Sequence, residues 1–295
     1  MVYLQTFSLP TREAEEDYLI IECAKNSLEC YDTKYPFGIF GRKELPELIF
    51  DDITIFCGNN GSGKSTLLNI IAEKLQLNRS TLFNRSDFFG DYVGLCRYQL
   101  EKEIPDESVI VTSDGVFDRV LDIRRINDGI DDARQEMISE YVNLKYSTGE
   151  QTNNLRSIDD YNRWKKVKDA KSRNKTQSKF ISSRLARNIT ESSNGESALA
   201  YFVDSIHDST LCLLDEPENS LSAANQLMLM YFIIDAVKSR GCQFIISTHS
   251  PFLLSLRGAL IYDLDRAPVG TCRWNELECV RVYYDFFKEH EREFG

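Results

Sequence analysis

Apolar positions along the chain fall into short continuous runs and longer periodic ones. Residues 52–57 (Asp-Ile-Thr-Ile-Phe-Cys), 108–112, 210–214, 243–247 and 259–263 are short, β-branched or apolar, and end in polar or turn residues. Such runs predict buried strands. Residues 18–23 (Tyr-Leu-Ile-Ile-Glu-Cys) read the same way, with a turn at Lys25, Asn26 and Ser27, and residues 92–95 form a further candidate strand. Apolar residues recur at helical spacing over 67–75, 131–147, 157–187, 196–206, 222–239 and 276–291. These predict helices.

The order of these elements carries the fold class. From residue 196 onward helix and strand alternate, which implies a mostly parallel central sheet with helices on both faces. The β-rich N-terminal stretch predicts an added antiparallel part, and the central stretch predicts a helical lobe. The expected class is therefore α/β. No internal repeat and no long heptad array is present.

Composition narrows the setting. A chain of 295 residues, 42% hydrophobic and 27% charged, can bury a large core as one or two domains. No apolar stretch reaches the length of a membrane span, and the first sixteen residues are too polar and acidic for a secretory leader. A cytoplasmic protein with no membrane partner is expected. Eight cysteines occur without a C-x-x-C pair, which argues for reduced thiols rather than a zinc site or disulfide framework. The net charge of −11 is uneven. Between Arg163 and Arg187 stand ten Lys or Arg residues and one acid, Asp169. Lys165, Lys168, Lys171, Lys175 and Lys179 could lie along nucleic-acid phosphates. A solvated helix face is the other reading.

Candidate chemistry sits at the ends of the predicted strands. After residues 52–57 comes Gly58-Asn59-Asn60-Gly61-Ser62-Gly63-Lys64-Ser65-Thr66, the pattern G-x-x-x-x-G-K-[ST]. Strand, glycine loop and helix together aim backbone N–H groups and a helix N-terminus at phosphate oxygens. Lys64 can reach the β- and γ-phosphates, and the Ser65 hydroxyl can coordinate Mg²⁺. The strand at 210–214 leads into Asp215 and Glu216. There Asp215 can hold Mg²⁺ and Glu216 can polarise a water. Solvated acids at a strand end are the plainer alternative. The strand at 243–247 leads into Thr248, His249, Ser250 and Pro251, where His249 could bond a γ-phosphate and an attacking water. Ser193, Asn194, Gly195 and Glu196 open a helix, either as a simple capping box or as a second anion-binding terminus.

On these residues the chain resembles an ABC-type P-loop ATPase of the soluble branch, similar to SMC-type DNA-repair ATPases and small stand-alone ATPases. The phosphate loop, the segment 211–216 and His249 carry the resemblance, which covers nearly the whole chain. Ser193-Asn194-Gly195-Glu196 resembles the family signature S-G-G-[QE], with Asn194 in place of a glycine. Residues 218–222 resemble the D-loop, with Ser222 where the family has aspartate. The resemblance implies ATP and Mg²⁺ as ligands, Gln99 as a Q-loop metal contact, and Tyr35, Phe37 or Phe40 as the adenine-stacking residue. It implies a single domain over 1–295, with 1–77 and 197–295 as the nucleotide-binding lobe and about 78–196 as a mostly helical signature lobe. It further implies a head-to-tail homodimer with ATP sandwiched between the loop of one copy and Ser193 and Gly195 of the other. DNA maintenance or anti-phage defence, with a nuclease or toxin effector, is the implied setting. The ATPase subunit of a membrane transporter and a low-turnover regulatory module are the alternatives.

Overall fold

The computed structural model describes residues 1–25, 33–45, 47–146 and 194–294, with the isolated positions 166, 168, 178, 181 and 185. The chain divides into two compact units, Met1–Phe117 with Ser193–Gly295, and Asp118–Ser192.

The first unit is built on two sheets. Its elements run β1 (Leu4–Ser8), α1 (Arg12–Lys25), β2 (Leu48–Ile49), β3 (Ile53–Cys57), α2 (Lys64–Lys74), β4 (Asn78–Arg79), α3 (Phe89–Leu95), β5 (Arg97–Leu100) and β6 (Val109–Thr112). After β6 the chain enters the long helix α4 (Ser113–Tyr146). The first unit resumes with α5 (Asn194–Ser205), β7 (Leu211–Asp215), α6 (Ala223–Arg240), β8 (Gln243–Ser247), α7 (Pro251–Leu254), β9 (Leu260–Asp263), β10 (Gly270–Thr271) and α8 (Glu278–Glu289).

The larger sheet has the order β10-β9-β3-β8-β7-β6-β4. Every pairing in it is parallel except β9 with β10. The mostly parallel α/β class predicted from the alternating pattern is what the chain adopts. The smaller sheet, β2-β1-β5, is antiparallel and supplies the expected N-terminal antiparallel part.

Side chains alternate across a strand, so the parallel sheet separates two apolar layers. Phe56, Leu211, Leu213 and Ile245 join the layer that holds Leu67, Leu68, Ile70 and Ile71 of α2 and Leu4 and Phe7 of β1. Ile53, Ile55, Cys212, Leu214, Phe244 and Ile246 join the opposite layer with Phe202, Leu229 and Ile233 of α5 and α6. Strands buried on both faces explain why these runs are continuously apolar.

Two predicted strands are helices. Residues 18–23 lie inside α1 and residues 92–95 inside α3. In α1 the residues turned inward are Glu15, Tyr18 and Leu19, spaced as one helical face. Buried Glu15 accepts the Tyr92 hydroxyl at 3.1 Å and the Gly38 N–H at 2.8 Å, and Tyr18 stacks on Phe37. Ile20 and Ile21, which made the segment look like a strand, are exposed. Thr11 begins the helix by accepting the Ala14 N–H at 3.3 Å. In α3, Tyr92 and Val93 pack inward beside Phe89, again at helical spacing.

One buried side chain fastens the small sheet to the large one. Gln243, fully buried at the start of β8, accepts the Tyr3 and Leu4 N–H groups at 2.8 and 2.9 Å. Its amide donates to Leu4 O at 2.9 Å and Asp51 O at 3.2 Å.

In the second unit, Tyr141 is buried against Leu144 and Ile181, and Lys166 pairs with Glu140 at 2.8 Å. Among the described residues no helix is long and apolar enough to cross a membrane.

Removing the Gln243 amide strands several buried backbone groups, each worth about 1–3 kcal/mol when unpaired. Gln243→Leu should therefore lower stability by about 3 kcal/mol or more, read as a fall in urea midpoint. A midpoint within error of the parent would show that β1 does not depend on this side chain.

Candidate functional site

Strands β3, β7 and β8 end side by side at the carboxyl edge of the parallel sheet, where open α/β sheets bind ligands. The loop between β3 and α2 follows directly. Residues Asn60 through Thr66, with Glu216, line a cleft of about 300 Å³.

The loop's shape depends on glycine at two positions. A Cβ on Gly58 would sit 2.7 Å from Ser62 Oγ, and Gly63 has φ +98° with Phe40 packed beneath it. Alanine is strained at the second and has no room at the first. The Ser62 hydroxyl is buried with no hydrogen-bond partner, so the loop carries an unspent polar group.

Lys64, 3% exposed, is the first residue of α2. Its ammonium donates to Gly58 O at 2.7 Å and pairs with Glu216 Oε1 at 3.1 Å. The other Glu216 oxygen accepts the Asn219 amide at 2.9 Å. Glu216 has φ 46° and ψ 52°, a left-handed conformation that costs a non-glycine residue about 1 kcal/mol. Its N–H donates to Ser247 O at 3.0 Å and lies 3.1 Å from Ser247 Oγ.

Asp215 is joined to the loop. Its Oδ1 accepts Ser65 Oγ at 2.9 Å and Ser247 Oγ at 2.5 Å. Register explains the second bond, since Asp215 stands opposite Ser247 in the β7–β8 ladder. Burial raises the Asp215 carboxyl above its ordinary range. The Ser247 and Ser65 hydroxyls and the Lys64 ammonium oppose that rise, and Glu216 adds to it.

His249 follows β8. Its N–H donates to Glu218 Oε1 at 2.8 Å, and its Nδ1 lies 3.4 Å from the same oxygen. The second Glu218 oxygen is buried and unpartnered. The imidazole is 40% exposed and does not line the cleft.

The predicted residues thus separate. Asn59, Asn60, Gly61, Ser62, Gly63, Lys64, Ser65 and Thr66 form one loop, and Asp215 and Glu216 reach it directly. Gln99 lies on β5, exposed and opposite Thr6, away from the cleft lining. Asn194, Gly195 and Glu196 form the first turn of α5, and Ser193 lies outside the described residues. Phe37 and Phe40 are buried in the core, while Tyr35 is half-buried with its hydroxyl 3.0 Å from Thr66 Oγ1. Ser222 caps α6 by accepting the Asn225 N–H. Of the basic stretch 163–187, only Lys166 and Lys168 among its charged residues lie within the described residues.

Several contributors carry no sequence signal of their own. Ser247 matters through its register with Asp215, and Glu218 through its contact with His249. Lys43 reaches back to the loop, donating to Ser62 O at 2.6 Å and Leu264 O at 2.7 Å, and its burial lowers its pKa. Asp265 accepts the Asn59 N–H at 2.8 Å. The S-T-H-S-P context brackets Ser247 at the end of β8 and the D-loop resemblance spans Glu218, while nothing in the sequence points to Lys43 or Asp265.

The donor set fits its expected ligands. Two positions closed to a Cβ or to ordinary φ, an orphan loop hydroxyl and a buried ammonium suit phosphate. Ser65 and Asp215 offer adjacent hard oxygens, which suit Mg²⁺. No cluster of three or more His, Cys, Asp or Glu that could hold a metal occurs among the described residues.

Residues 107–255, half of the chain, match the family described as "AAA domain, putative AbiEii toxin, Type IV TA system". The chain belongs to this family. The matched segment contains Asp215, Glu216 and His249 and begins after the phosphate loop. The match agrees with the P-loop ATPase resemblance carried by the motifs. No curated protein matches the chain. Among solved structures it aligns with the Smc head domain of Pyrococcus furiosus, bound there to the C-terminal domain of ScpA, at 13% identity and TM-score 0.43. That alignment covers 99% of this chain and 100% of that one. The SMC head domain of Thermotoga maritima aligns at 12% identity and TM-score 0.37, over 92% of this chain and 99% of that one. A dimeric ATP-binding cassette bound to ADP and Pi aligns at 13% identity and TM-score 0.35, over 78% and 90%.

Two variants test this site in this AAA-domain chain. Gly63→Ala should fold yet lose at least ten-fold in affinity for Mg-ATP by calorimetric titration, because the loop cannot hold its conformation. Asp215→Asn should raise the stability of the ligand-free protein at pH 7 by about 1 kcal/mol. An acid whose folded pKa is raised destabilises the fold once it ionises, so the gain should shrink as pH falls toward the unfolded carboxyl range. A gain that grows on acidification would contradict the burial argument.

Proposed function

We propose that the chain binds ATP with Mg²⁺ and hydrolyses it, and that the nucleotide switches its self-association. The observation that carries this reading is the direct joining of loop and strand ends: Lys64 to Glu216, and Ser65 to Asp215. Each contact pairs a phosphate-facing or metal-facing group with the acid expected to work beside it.

The Glu216 carboxylate is engaged by Lys64 and Asn219. Triphosphate oxygens would compete for the Lys64 ammonium and draw it away. Glu216 would then be free to accept a proton from a water in line with the γ-phosphoryl group. Mg²⁺ held by Ser65 and Asp215 would supply charge neutralisation of the phosphates. Ser247 would keep the Asp215 oxygen aimed at the metal side, and Glu218 holds the His249 backbone at the end of β8.

The signature at Ser193 to Glu196, acting from a second copy, would complete the site. A helix N-terminus that meets the γ-phosphate favours ATP over ADP in the closed pair, and that difference makes hydrolysis a switch. The family's description, with its toxin of a type IV toxin–antitoxin system, supports a defence setting in which the switch governs a toxic or nucleolytic effector. Glu216 in place beside Lys64 favours turnover over a purely regulatory module.

Glu216→Gln should bind Mg-ATP, lose hydrolysis by about 100-fold, and accumulate as a dimer with ATP by light scattering. Absence of hydrolysis in the parent protein would reject the enzymatic reading. A Glu216→Gln variant that stays monomeric with ATP would reject the sandwich.

A further inference from the structure

Outside the cleft lining, a pair of thiols adjoins the start of the phosphate loop. Cys57 is the last residue of β3, immediately before Gly58, and is 2% exposed. Cys279 stands in the first turn of α8 and is partly buried. Their Sγ atoms lie 3.6 Å apart although 222 residues separate them in sequence. All six cysteines with described surroundings are free thiols.

The segment between β9 and α8 already braces the loop. Cys57 O accepts the Leu264 N–H at 2.8 Å, and Asp265 accepts the Asn59 N–H at 2.8 Å. Lys43 bridges Ser62 O and Leu264 O. The thiol pair sits beside this brace, at the junction of β3 and α8. Movement of Cys57 passes directly to Gly58, which cannot yield freely. Its carbonyl holds Lys64 Nζ at 2.7 Å, and a Cβ in place of its hydrogen would sit 2.7 Å from Ser62 Oγ.

We propose that Cys57 and Cys279 form a reversible disulfide on exposure to a hydroperoxide, and that this bond weakens nucleotide binding by the phosphate loop. Cys279 is the attacking thiol. It is the more accessible of the two and stands at a helix N-terminus, whose dipole favours a thiolate. The contact with Cys57 and backbone N–H groups of the helix start lower its pKa, while the same contact and burial raise that of Cys57. The Cys279 thiolate attacks the terminal peroxide oxygen and the O–O bond breaks. The product is Cys279 sulfenic acid, and the departing alkoxide takes up a proton to become an alcohol, or water when the oxidant is hydrogen peroxide. Cys57 then attacks the sulfenic sulfur, forming the S–S bond. Hydroxide leaves and, with the Cys57 proton, becomes water. Two thiols lose two electrons and the peroxide gains them. A dithiol reductant reverses the change by exchange.

Drawing the two sulfurs to bonding distance pulls the end of β3 toward α8. The strain falls on Gly58 and, through its carbonyl, on Lys64. The proposal rests on the nucleotide-site reading for its affinity effect, but the disulfide itself does not.

The test uses the full chain. Affinity for a fluorescent ATP analogue with Mg²⁺ is measured first on the reduced protein. Failure to bind there rejects the nucleotide reading and the affinity effect with it, while the thiol chemistry is still decided by mass. The protein is then treated with hydrogen peroxide and mapped by non-reducing peptide mass spectrometry. A linked peptide joining Cys57 and Cys279 should appear, with at least a ten-fold loss of affinity, and dithiothreitol should reverse both. Cys279→Ser should bind like the untreated parent and keep its affinity in peroxide. No Cys57–Cys279 peptide, a linked protein with unchanged affinity, or an equal loss in Cys279→Ser would overturn the proposal.

Discussion

The Lys64 ammonium is the charge around which the site is arranged. It is almost wholly buried, and an unpaired buried ammonium would cost several kcal/mol. Its partners, Gly58 O and Glu216 Oε1, come from the two ends of the phosphate loop and β7. Satisfying Lys64 therefore ties the start of the loop to the end of β7. The pair is local and dry enough to matter, yet the cleft leaves it open to replacement by a more highly charged partner. Under the proposed function, this is the contact that a triphosphate would displace.

The fold exists to bring those two ends together. Parallel strands that are apolar on both faces set β3, β8 and β7 in register, and register alone places Ser247 against Asp215. Gln243 at the opposite end of β8 fastens the antiparallel sheet through three backbone bonds at Tyr3 and Leu4, with a fourth to Asp51 O. One strand thus anchors the body at its start and orients Asp215 at its end. The segment after β9 adds Asp265 and, with Lys43, grips the loop from below.

Much of this was legible from the chain. Continuous apolar runs gave the parallel strands because burial on both faces leaves no polar alternation to confuse them. The loop at 58–66 could be read because its glycines and lysine are required by backbone geometry and charge. The misread segments show the opposite case. Tyr18-Leu19-Ile20-Ile21 has strand-like side chains, but its helix is decided by distant partners, Glu15 with Tyr92 and Tyr18 with Phe37. Residues 92–95 went the same way. Lys43 and Asp265 were not legible as site residues, and the contacts of Ser247 with Asp215 and of Glu218 with His249 were not either. Such side chains acquire these partners only through neighbours brought by the fold.

Titration of Mg-ATP into Lys64→Ala and Glu216→Gln tests the exchange most directly. If triphosphate displaces Glu216 from Lys64, Lys64→Ala should bind at least 100-fold more weakly than the parent. Glu216→Gln, with Lys64 already released, should bind more tightly than the parent. Unchanged affinity in Lys64→Ala, or weaker binding by Glu216→Gln, would contradict the account.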